Sequence, residues 1–323
     1  MQTRILSAAD VRACIDMPAA IEAMRTAFAA LSDGSAKVPL RLALETTHGV
    51  SLFMPAWLSR SGATGAKVVS VNPGNVARGL PAIHATVLVL DEETGRLLAL
   101  MDGTWLTALR TGAVGGLAAD LLAREDARTV ALFGAGVQAR TQLDAVRCVR
   151  PIEEVRIVSA TGVSAEALAG ELEGVAARRV DDPNEALDGA HIVIAATSSA
   201  TPVFDGARVE PGTHVTAVGS FTPDMREVDT ELVTRARVVV DQREAALAEG
   251  GDIAGPIADG AVDESVIAAE LGEIVLGKAR GRESADQVTY FKSVGNAVQD
   301  VAVAALVLER ARAEGRGVLV ELA

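Results

Sequence analysis

The chain of 323 residues is poor in cysteine, in aromatic residues and in lysine. Cys14 and Cys148 stand in no paired motif, so we expect two reduced, buried small residues and neither a disulfide framework nor a zinc site. Aromatic residues make up only 3%, so the core must consist mainly of alanine, valine, leucine and isoleucine. Because arginine supplies nearly all of the basic charge, each of the few lysines is more often one whose compact, titratable amine is needed.

Basic runs and long apolar runs are missing as well. The net charge is −13 and no cluster of basic residues could neutralise phosphates, which argues against binding to nucleic acid or to anionic membranes. The N-terminus has no apolar signal core, and no uninterrupted apolar stretch reaches the roughly 18 residues of a membrane span. We therefore expect a cytoplasmic protein with neither a nucleic-acid partner nor a membrane partner.

The most informative stretch that is present is TVALFGAGVQAR, at residues 129–140. A short apolar run leads into Gly134, and Gly136 and Ala139 follow with the spacing Gly-x-Gly-x-x-Ala before an amphipathic segment. The first glycine allows a tight turn, the second lets the backbone approach a pyrophosphate, and the helix N-terminus faces the anion. Since a strand and a helix flank the glycines, this pattern indicates a dinucleotide-binding fingerprint rather than a merely glycine-rich loop.

From residue 128 onwards short apolar strands alternate with helices, which predicts a parallel, doubly wound sheet. Its strands are expected at residues 129–133, 154–159, 190–196, 213–218, 236–240 and 289–292. Upstream, two helices are followed between residues 38 and 101 by strands that turns separate. Long apolar helices are predicted at residues 104–123 and 295–314.

Five stretches together resemble the ornithine cyclodeaminase/μ-crystallin family. They are GAKVVSVNPGNVARGLPAIHATVLVLD (65–91), TWLTALRTGAVGGLAADLLA (104–123), LFGAGVQAR (132–140), AVGSFTPDMREVD (217–229) and FKSVGNAVQD (291–300). The likeness spans nearly the whole chain, and LTALRT and KSVGNA are its specific parts. It implies an α/β fold in which a Rossmann-type doubly wound parallel sheet is inserted into an α+β substrate and dimerisation domain. The expected boundaries are 1–114 plus 297–323 for the substrate and dimerisation domain and 115–296 for the dinucleotide-binding domain, in a homodimer.

The resemblance implies chemistry at a carbon that is bonded to nitrogen beside a carboxylate. We predict an NAD(P)-dependent oxidoreductase that transfers hydride to the α-carbon of an imino acid. A cyclic ketimine such as a pyrroline or piperideine 2-carboxylate fits, and so does a small acyclic imine made from a 2-oxo acid and an amine. Alanine dehydrogenase and ornithine-type cyclodeaminase are the alternatives among enzymes, since membership of the family alone does not choose an activity. A non-catalytic, NADP-dependent small-molecule binder of μ-crystallin type is the alternative from another class.

Three basic residues are candidates for the substrate site, and two of them, Lys67 and Arg110, are the predicted catalytic residues. Arg110 matches the family's carboxylate-binding arginine, and its apolar neighbours favour a buried guanidinium that grips a carboxylate over a surface arginine. Arg41 matches a second carboxylate contact, and an exposed strand arginine is an equal alternative. Lys67 matches the active-site lysine, although a lysine that points outward from a half-exposed strand has the same periodicity. Near arginines and out of water its pKa should fall, which suits proton transfer to the imine nitrogen or to water.

The cofactor contacts come from the resemblance, except for a pair of hydroxyls at the end of the second strand. The contacts carried over are Arg110, Gly134, Gly136, Val137, Gln138, Thr197, Val218, Gly219, Ser220 and Ser293. Ser293 and Val294 match the residues that line the nicotinamide, and Val294 is also a predicted substrate contact. The second strand ends in Ser159 and Thr161 where an NAD site usually has an acidic residue for the ribose hydroxyls. The two hydroxyls suit a 2′-phosphate, but no arginine stands at the end of that strand. The predicted cofactor is therefore NADP or NAD, with a slight preference for NADP.

Phe221 is the most informative departure from the family pattern. Cyclodeaminases carry an aspartate two residues after the glycine that Gly219 matches, and they use it in handling the side-chain amine. A phenyl group cannot accept a proton or pair with an ammonium, so we expect no ornithine cyclodeamination and place Phe221 in the wall of the substrate site. Asp224 falls where those enzymes have glycine, and a turn residue after Pro223 is the plainer interpretation. No histidine has metal-ligand spacing, so no metal is expected.

Overall fold

The computed structural model describes residues 2–59 and 62–322, and the chain divides into two compact units. The first unit contains residues 1–110 and 296–323, and the second contains residues 111–295. The roles predicted for the two domains, substrate binding with dimerisation and dinucleotide binding, remain predictions.

Up to residue 122, one strand and two helices are followed by a run of strands and then by a long helix. In chain order they are β1 (Gln2–Leu6), α1 (Ala8–Cys14), α2 (Met17–Ser32), β2 (Ala36–Lys37), β3 (Leu42–Thr46), β4 (Gly49–Leu58), β5 (Ala63–Val71), β6 (Ile83–Leu90), β7 (Leu97–Asp102) and α3 (Thr104–Leu122).

The elements from residue 129 onwards alternate more regularly. They are β8 (Thr129–Phe133), α4 (Val137–Val149), β9 (Glu154–Val158), α5 (Val163–Glu171), β10 (Ala176–Arg179), α6 (Pro183–Leu187), β11 (Ile192–Ala195), β12 (His214–Ala217), α7 (Thr230–Arg235), β13 (Arg237–Val240), α8 (Arg243–Glu249), α9 (Gly251–Ala258), β14 (Ile267–Glu270), α10 (Leu271–Val275), β15 (Thr289–Lys292), α11 (Ala297–Ala313) and β16 (Val318–Glu321).

The first unit is built on an eight-stranded sheet with the order β16-β1-β7-β6-β5-β4-β2, in which β3 also pairs with β4. Its pairs are antiparallel except for β1 with β7. The C-terminal helix α11 packs against β4, β5 and β6 and against α2. Helix α11 thus covers one face of the sheet at β5. The side chains of β5 that point to this face, every second residue, are therefore buried.

The second unit is a sheet of eight parallel strands with the order β10-β9-β8-β11-β12-β15-β13-β14, which confirms the predicted parallel sheet. The strand order reverses between β8 and β11, and ligands of open α/β sheets bind outside the carboxyl ends of the strands at such a point. All of the predicted strands are present. Strands β10 and β14 were not predicted, because AARR and IAAE are too short and too weakly apolar to stand out.

Apolar cores cover both faces of the parallel sheet, as a doubly wound fold requires. Val130 and Leu132 of β8 belong to one buried cluster, and Ala131 and Phe133 belong to the other. The clusters consist mainly of alanine, valine, leucine and isoleucine, as the composition predicts.

Two further observations concern the cysteines and the helices. Cys14 is buried but Cys148 is exposed, so the expectation of two buried cysteines is wrong for Cys148, which lies on the outer side of α4. Within residues 2–59 and 62–322, no helix combines the length and the apolar character that crossing a membrane would need.

Candidate active site

Lys67 lies on β5, between Met54 of β4 and Val87 of β6, and is only 1% exposed. Its Nζ atom is 2.8 Å from Oδ2 of Asp300, in the first turns of α11. Asp300 is completely buried, so the ion pair is closed off from solvent. The interpretation of Lys67 as an outward-pointing strand lysine is thereby wrong, because the packing of α11 on β5 places the amine inside.

Arg110 lies on α3 and reaches the same carboxylate. Its Nε atom donates to Oδ1 of Asp300 at 2.9 Å, and its Nη1 atom donates to Oε1 of Gln299. Arg110 is 6% exposed, so this arginine is not a surface residue of a helix. Asp300 thus holds one cation with each of its carboxylate oxygens.

The three buried charges do not cancel. With Lys67 protonated, two cations face the single carboxylate of Asp300, which leaves one net positive charge among these three groups. An uncompensated charge is costly in a space that excludes water, so the arrangement favours binding of an anion. The first unit therefore contains a buried group of side chains suited to a carboxylate ligand.

The surroundings of Lys67 lower the pKa of its amine to about 8. Burial is the largest cause, the charge of Arg110 adds to it, and Asp300 opposes both by favouring the ammonium. The positive charge of Arg41 lowers the pKa a little further, so Arg41, half-buried just before β3, acts electrostatically on this site. An amine that titrates near pH 8 can give or take a proton under ordinary conditions.

Two buried amides beside these charges have hydrogen-bonding atoms without partners. Gln299 accepts from Arg110 through Oε1, which leaves its Nε2 as a buried donor without an acceptor among the described residues. Asn296, the residue at the N-terminal boundary of α11, has neither its Oδ1 nor its Nδ2 paired within that part of the chain. Asn296 lies one helical turn before Gln299 and Asp300 and so on the same side of α11. Unpaired buried donors are rare in folded proteins, and here they indicate room for a ligand that accepts hydrogen bonds.

The structure also tests whether the fingerprint turn fits a dinucleotide. Gly134 has φ +107°, and a Cβ atom there would lie 2.5 Å from the carbonyl oxygen of Ala196, so the turn excludes other residues. Gly136 caps α4 without a side-chain hydrogen bond, and a Cβ atom on it would meet nothing within 4 Å. Val137 is exposed at the first turn, and Oε1 of Gln138 is a buried acceptor that has no partner within residues 2–59 and 62–322. The space beside Gly136, at the N-terminal end of α4, is thus open, as the close approach of a pyrophosphate to this backbone requires.

The remaining candidate contacts follow the carboxyl ends of β11, β12 and β15. The Thr197 backbone N–H and hydroxyl donate to one carboxylate oxygen of Glu227, and the N–H groups of Gly219 and Ser220 donate to the other. Val218 precedes them and is buried. These contacts join the ends of two neighbouring parallel strands at the predicted cofactor edge of the sheet.

Asp241 organises the turn after β15 in a similar way. Its Oδ2 atom accepts from the hydroxyl of Ser293 at 2.7 Å and from the backbone N–H groups of Val294 and Gly295 at 3.0 and 2.8 Å. Ser293 and Val294, both predicted beside the nicotinamide, are therefore fixed by a buried carboxylate that directly follows the neighbouring strand β13.

The end of β9 carries the hydroxyls considered for a 2′-phosphate. The hydroxyls of Ser159 and Thr161 both meet that of Ser164, at 2.9 and 3.0 Å. The guanidinium carbon of Arg179, which ends β10, lies 2.6 Å from where a Cβ atom on Gly162 would be. An arginine thus reaches this corner from the adjacent strand, although none follows β9 itself.

Phe221 is partly buried in the loop after β12, and Asp224 in the same loop is exposed. Phe221 belongs to the second unit, whereas Lys67 and Arg110 belong to the first. Its place in the wall of the substrate site remains a prediction.

Sequence reasoning missed six residues of these clusters: Asp300, Gln299, Asn296, Asp241, Glu227 and Arg179. A signal existed for Asp300 and Gln299, since they are polar residues on the otherwise apolar stripe of α11. Glu227 stands among other acidic and basic residues of a loop and Arg179 in the run of a short strand, so neither is distinguished locally. Within the described ranges, no group of three or more histidine, cysteine, aspartate or glutamate residues could hold a metal ion.

Comparison of the whole chain with known proteins shows the family to which it belongs. The sequence pattern of the ornithine cyclodeaminase/mu-crystallin family matches residues 1–315. The chain is 38% identical to the Delta(1)-pyrroline-2-carboxylate reductase of Bacillus cereus over 98% of the chain and 99% of that protein. It is 37% identical to the alanine dehydrogenase of Archaeoglobus fulgidus, over 98% of both.

A solved structure shares the whole fold. The Delta(1)-pyrroline-2-carboxylate reductase of Thermococcus litoralis, in complex with NADH and L-proline, superposes with a TM-score of 0.96 at 42% identity, over 98% of this chain and all of that one. The chain belongs to the ornithine cyclodeaminase/mu-crystallin family, and its parallel sheet is the Rossmann-type domain of that family's dehydrogenases.

Proposed function

We propose that this protein reduces a cyclic 2-imino acid of the Delta(1)-pyrroline-2-carboxylate kind to the corresponding amino acid. The chain is an NAD(P)-dependent oxidoreductase of imino and amino acids, as its family and its similarity to pyrroline-2-carboxylate reductases establish. The observation that carries the choice of substrate class is the net positive charge of the buried group Lys67, Arg110 and Asp300. A small substrate that carries a carboxylate beside a basic nitrogen supplies both the anion and the proton acceptor for that group.

Each residue then has a defined task in the reduction. Arg110 binds the substrate carboxylate, with Arg41 as a second positive group, and the unpaired Nε2 of Gln299 offers a further donor. Lys67 gives its proton to the imine nitrogen and is reprotonated by water, so that the α-carbon of the iminium is electrophilic. The Rossmann domain of residues 115–296 would hold NAD(P)H, which would supply the hydride when bound. The residues of the substrate domain, 1–114 plus 297–323, hold and protonate the imino acid.

The substrate test is a panel of imines followed by oxidation of NADH or NADPH. It includes Delta(1)-pyrroline-2-carboxylate, Delta(1)-piperideine-2-carboxylate, pyruvate with ammonia and pyruvate with methylamine. We expect the cyclic imines to have the highest kcat/KM, and Lys67→Met to lower their kcat by roughly 100-fold or more while NADH binding survives. The exposed Lys278 provides the matched control Lys278→Met, which should leave kcat unchanged.

Other outcomes of the panel would contradict this proposal in different ways. Pyruvate with ammonia as the best pair would identify an alanine dehydrogenase, the second candidate, which the 37% identity to the Archaeoglobus enzyme favours. Efficient formation of proline from ornithine would show that Phe221 does not exclude cyclodeamination. Tight NADPH binding with no turnover of any imine would indicate a binder of the μ-crystallin type.

The balance of charges around Lys67 predicts a pH dependence with a definite sign. Reduction needs the ammonium, so its rate should fall as the pH rises through about 8, whereas oxidation of the amino acid needs the amine and should rise there. Asp300→Asn removes the carboxylate that raises the pKa of Lys67, so the fall in the reductive rate should move to lower pH by roughly one pH unit. The measurement is kcat/KM for the imine between pH 6 and 10.

Asp126→Asn, an exposed change of the same kind in the second unit, serves as the control for Asp300→Asn. It should leave the pH profile in place. A profile of Asp300→Asn that coincides with that of the unaltered protein would show that the ammonium which governs the rate is not that of Lys67.

We propose further that NADPH is used somewhat better than NADH. The support is the corner formed by the hydroxyls of Ser159 and Thr161 and the guanidinium of Arg179, a group that matches a phosphate. The preference is expected to be slight because Nε of Arg179 donates to Asp181 at 2.8 Å, which engages part of its charge.

Arg179→Ala tests this preference directly. It should lower kcat/KM for NADPH by about tenfold, the loss of one charge-assisted contact, and change that for NADH by less than about twofold. Arg178→Ala, on the same strand and paired with Glu185, is the matched control and should affect neither cofactor. An equal loss with both cofactors would assign Arg179 a role other than the recognition of a 2′-phosphate.

We also propose that the protein is a homodimer that associates through the first unit. The edge strand β3 is exposed along its whole length, and its Leu42 and Leu44 are 66% and 55% exposed. Leu42 pairs with Phe53 of β4, which is exposed as well, and Leu40 precedes the strand. Exposed apolar side chains on a free strand edge are a typical association surface.

Sedimentation equilibrium measures this association. The unaltered chain should show twice its mass of 33.3 kDa, and Leu42→Glu with Leu44→Glu should sediment as a monomer because buried glutamates would face an apolar surface. Leu319→Glu, at an exposed leucine of β16, is the control and should remain dimeric. A dimer that persists in the double variant would place the interface elsewhere.

A further inference from the structure

Glu227 contacts Thr197, Gly219 and Ser220 but has been given no catalytic or binding role above, and its carboxylate is completely buried in the second unit. We propose that Glu227 is a positioning residue that holds the two cofactor-binding turns, after β11 and after β12, in their binding form. This inference rests on the proposed cofactor contacts Thr197, Gly219 and Ser220.

The carboxylate accepts four hydrogen bonds, two at each oxygen. Oε1 accepts from the backbone N–H of Thr197 at 2.6 Å and from its hydroxyl at 2.9 Å. Oε2 accepts from the backbone N–H groups of Gly219 and Ser220, at 2.6 and 3.1 Å. All four partners are donors, and only a carboxylate can accept from all of them, even though burial raises the pKa of Glu227.

The two turns lie side by side because β11 and β12 are neighbouring parallel strands, paired in register from Ile192 with His214 to Ala195 with Ala217. A Cβ atom on Gly219 would collide with the backbone of Thr197, so the turns approach each other too closely for any side chain at this glycine. The N–H groups on both turns therefore need an acceptor from a third segment, and Glu227 provides it.

A second buried carboxylate fixes Glu227 itself. Oδ1 of Asp252, in α9, accepts from the backbone N–H groups of Glu227 and Val228 at 2.6 and 3.1 Å. Its Oδ2 forms an ion pair of 2.6 Å with Nζ of Lys292, at the end of β15. The position of the Glu227 carboxylate is thus set from α9 and β15, independently of the two turns that it organises.

The distribution of donors explains why a carboxylate stands here and not an amide. Glutamine would present one oxygen and one NH₂ group, and the NH₂ group would face N–H donors on one of the two turns. That turn would lose its acceptor and move away, which alters the surface offered to the cofactor. The partners of the Glu227 carboxylate are Thr197, Gly219 and Ser220, so the variant changes none of the charges around Lys67.

Glu227→Gln separates a positioning role from a purely structural one. We expect the Kd for NADH, measured by fluorescence titration, and the KM for NADH to rise about tenfold or more. The kcat at saturating NADH and the KM for the imine should stay within about twofold, because saturation restores the bound form. A residue that only stabilised the fold would lower Tm and leave the Kd of the folded protein unchanged.

The opposite edge of the same sheet offers a matched control. Oε1 of Glu210, before β12, accepts from the backbone N–H of Gly189, before β11, at 2.8 Å and is exposed. Glu210→Gln removes a carboxylate acceptor of the same kind from the amino ends of the same two strands, and the Kd for NADH should not change. Glu227→Asp, which keeps the charge and shortens the reach, is a second variant in case Glu227→Gln does not fold, and its Kd should rise as well.

The results overturn the inference or the proposed function separately. If the unaltered protein binds NADH and both Glu227 variants bind it equally well, Glu227 does not position the cofactor turns, and the oxidoreductase function stands. If Glu210→Gln weakens NADH binding as much as Glu227→Gln, the effect belongs to the sheet as a whole and the inference fails. If the unaltered protein binds neither NADH nor NADPH, the proposed function fails first and the inference with it.

Discussion

The proposed substrate site of this protein depends on one constraint, the position of the two oxygens of the Asp300 carboxylate. One oxygen faces Lys67 and the other Arg110, and all three side chains are almost completely removed from water. Without the carboxylate the two cations would repel each other in a space of low polarity, and the expected response is movement into water or loss of the proton from Lys67. Helix α11, which returns from the end of the chain to the first sheet, supplies that carboxylate. In the proposed reduction, the C-terminal helix therefore takes part in the chemistry as well as in the core.

Because Asp300 neutralises only one of the two cations, the site keeps a net positive charge, and this charge favours an anionic ligand. Complete neutralisation by a second acidic residue would have made a stable but inert ion-pair network, since no charge would be left for a ligand. One carboxylate between two cations keeps Arg110 and Lys67 in place and still favours an anion. The pKa of Lys67, lowered to about 8, results from burial and Arg110 on one side and Asp300 on the other. In the proposed reduction, substrate binding and proton transfer thus both depend on one uncompensated positive charge.

The sequence predicts the elements that have a recognisable pattern within a short stretch of residues. The fingerprint turn, the parallel sheet and the long helices follow from periodicity and glycine spacing, and the resemblance to a family adds Lys67 and Arg110. Asp300 and Glu227 could not be assigned in this way, because each has a partner in a distant segment: Arg110 and Asp300 are 190 residues apart, and Thr197 and Glu227 are 30 residues apart. A charged residue on the apolar stripe of a helix indicates that a partner exists, but only the packing of α11 on β5 shows which one. Strand β10 was not predicted for a different reason: its short, arginine-rich sequence is typical of a loop rather than of a strand.

The overall charge of the protein and the charge of its site have opposite signs, and this decides what attracts the substrate. At a net charge of −13 the long-range field does not favour the approach of a carboxylate. That field is screened beyond about 8 Å at physiological ionic strength, whereas buried charges act through a medium of low polarity and are screened far less. In the proposed function, recognition of the substrate therefore occurs at short range, from Arg110 and Lys67, once the substrate has left the solvent. In the proposed function a small imino acid meets this requirement. Its single carboxylate needs only one positive charge, and Asp300 leaves one of the two positive charges uncompensated.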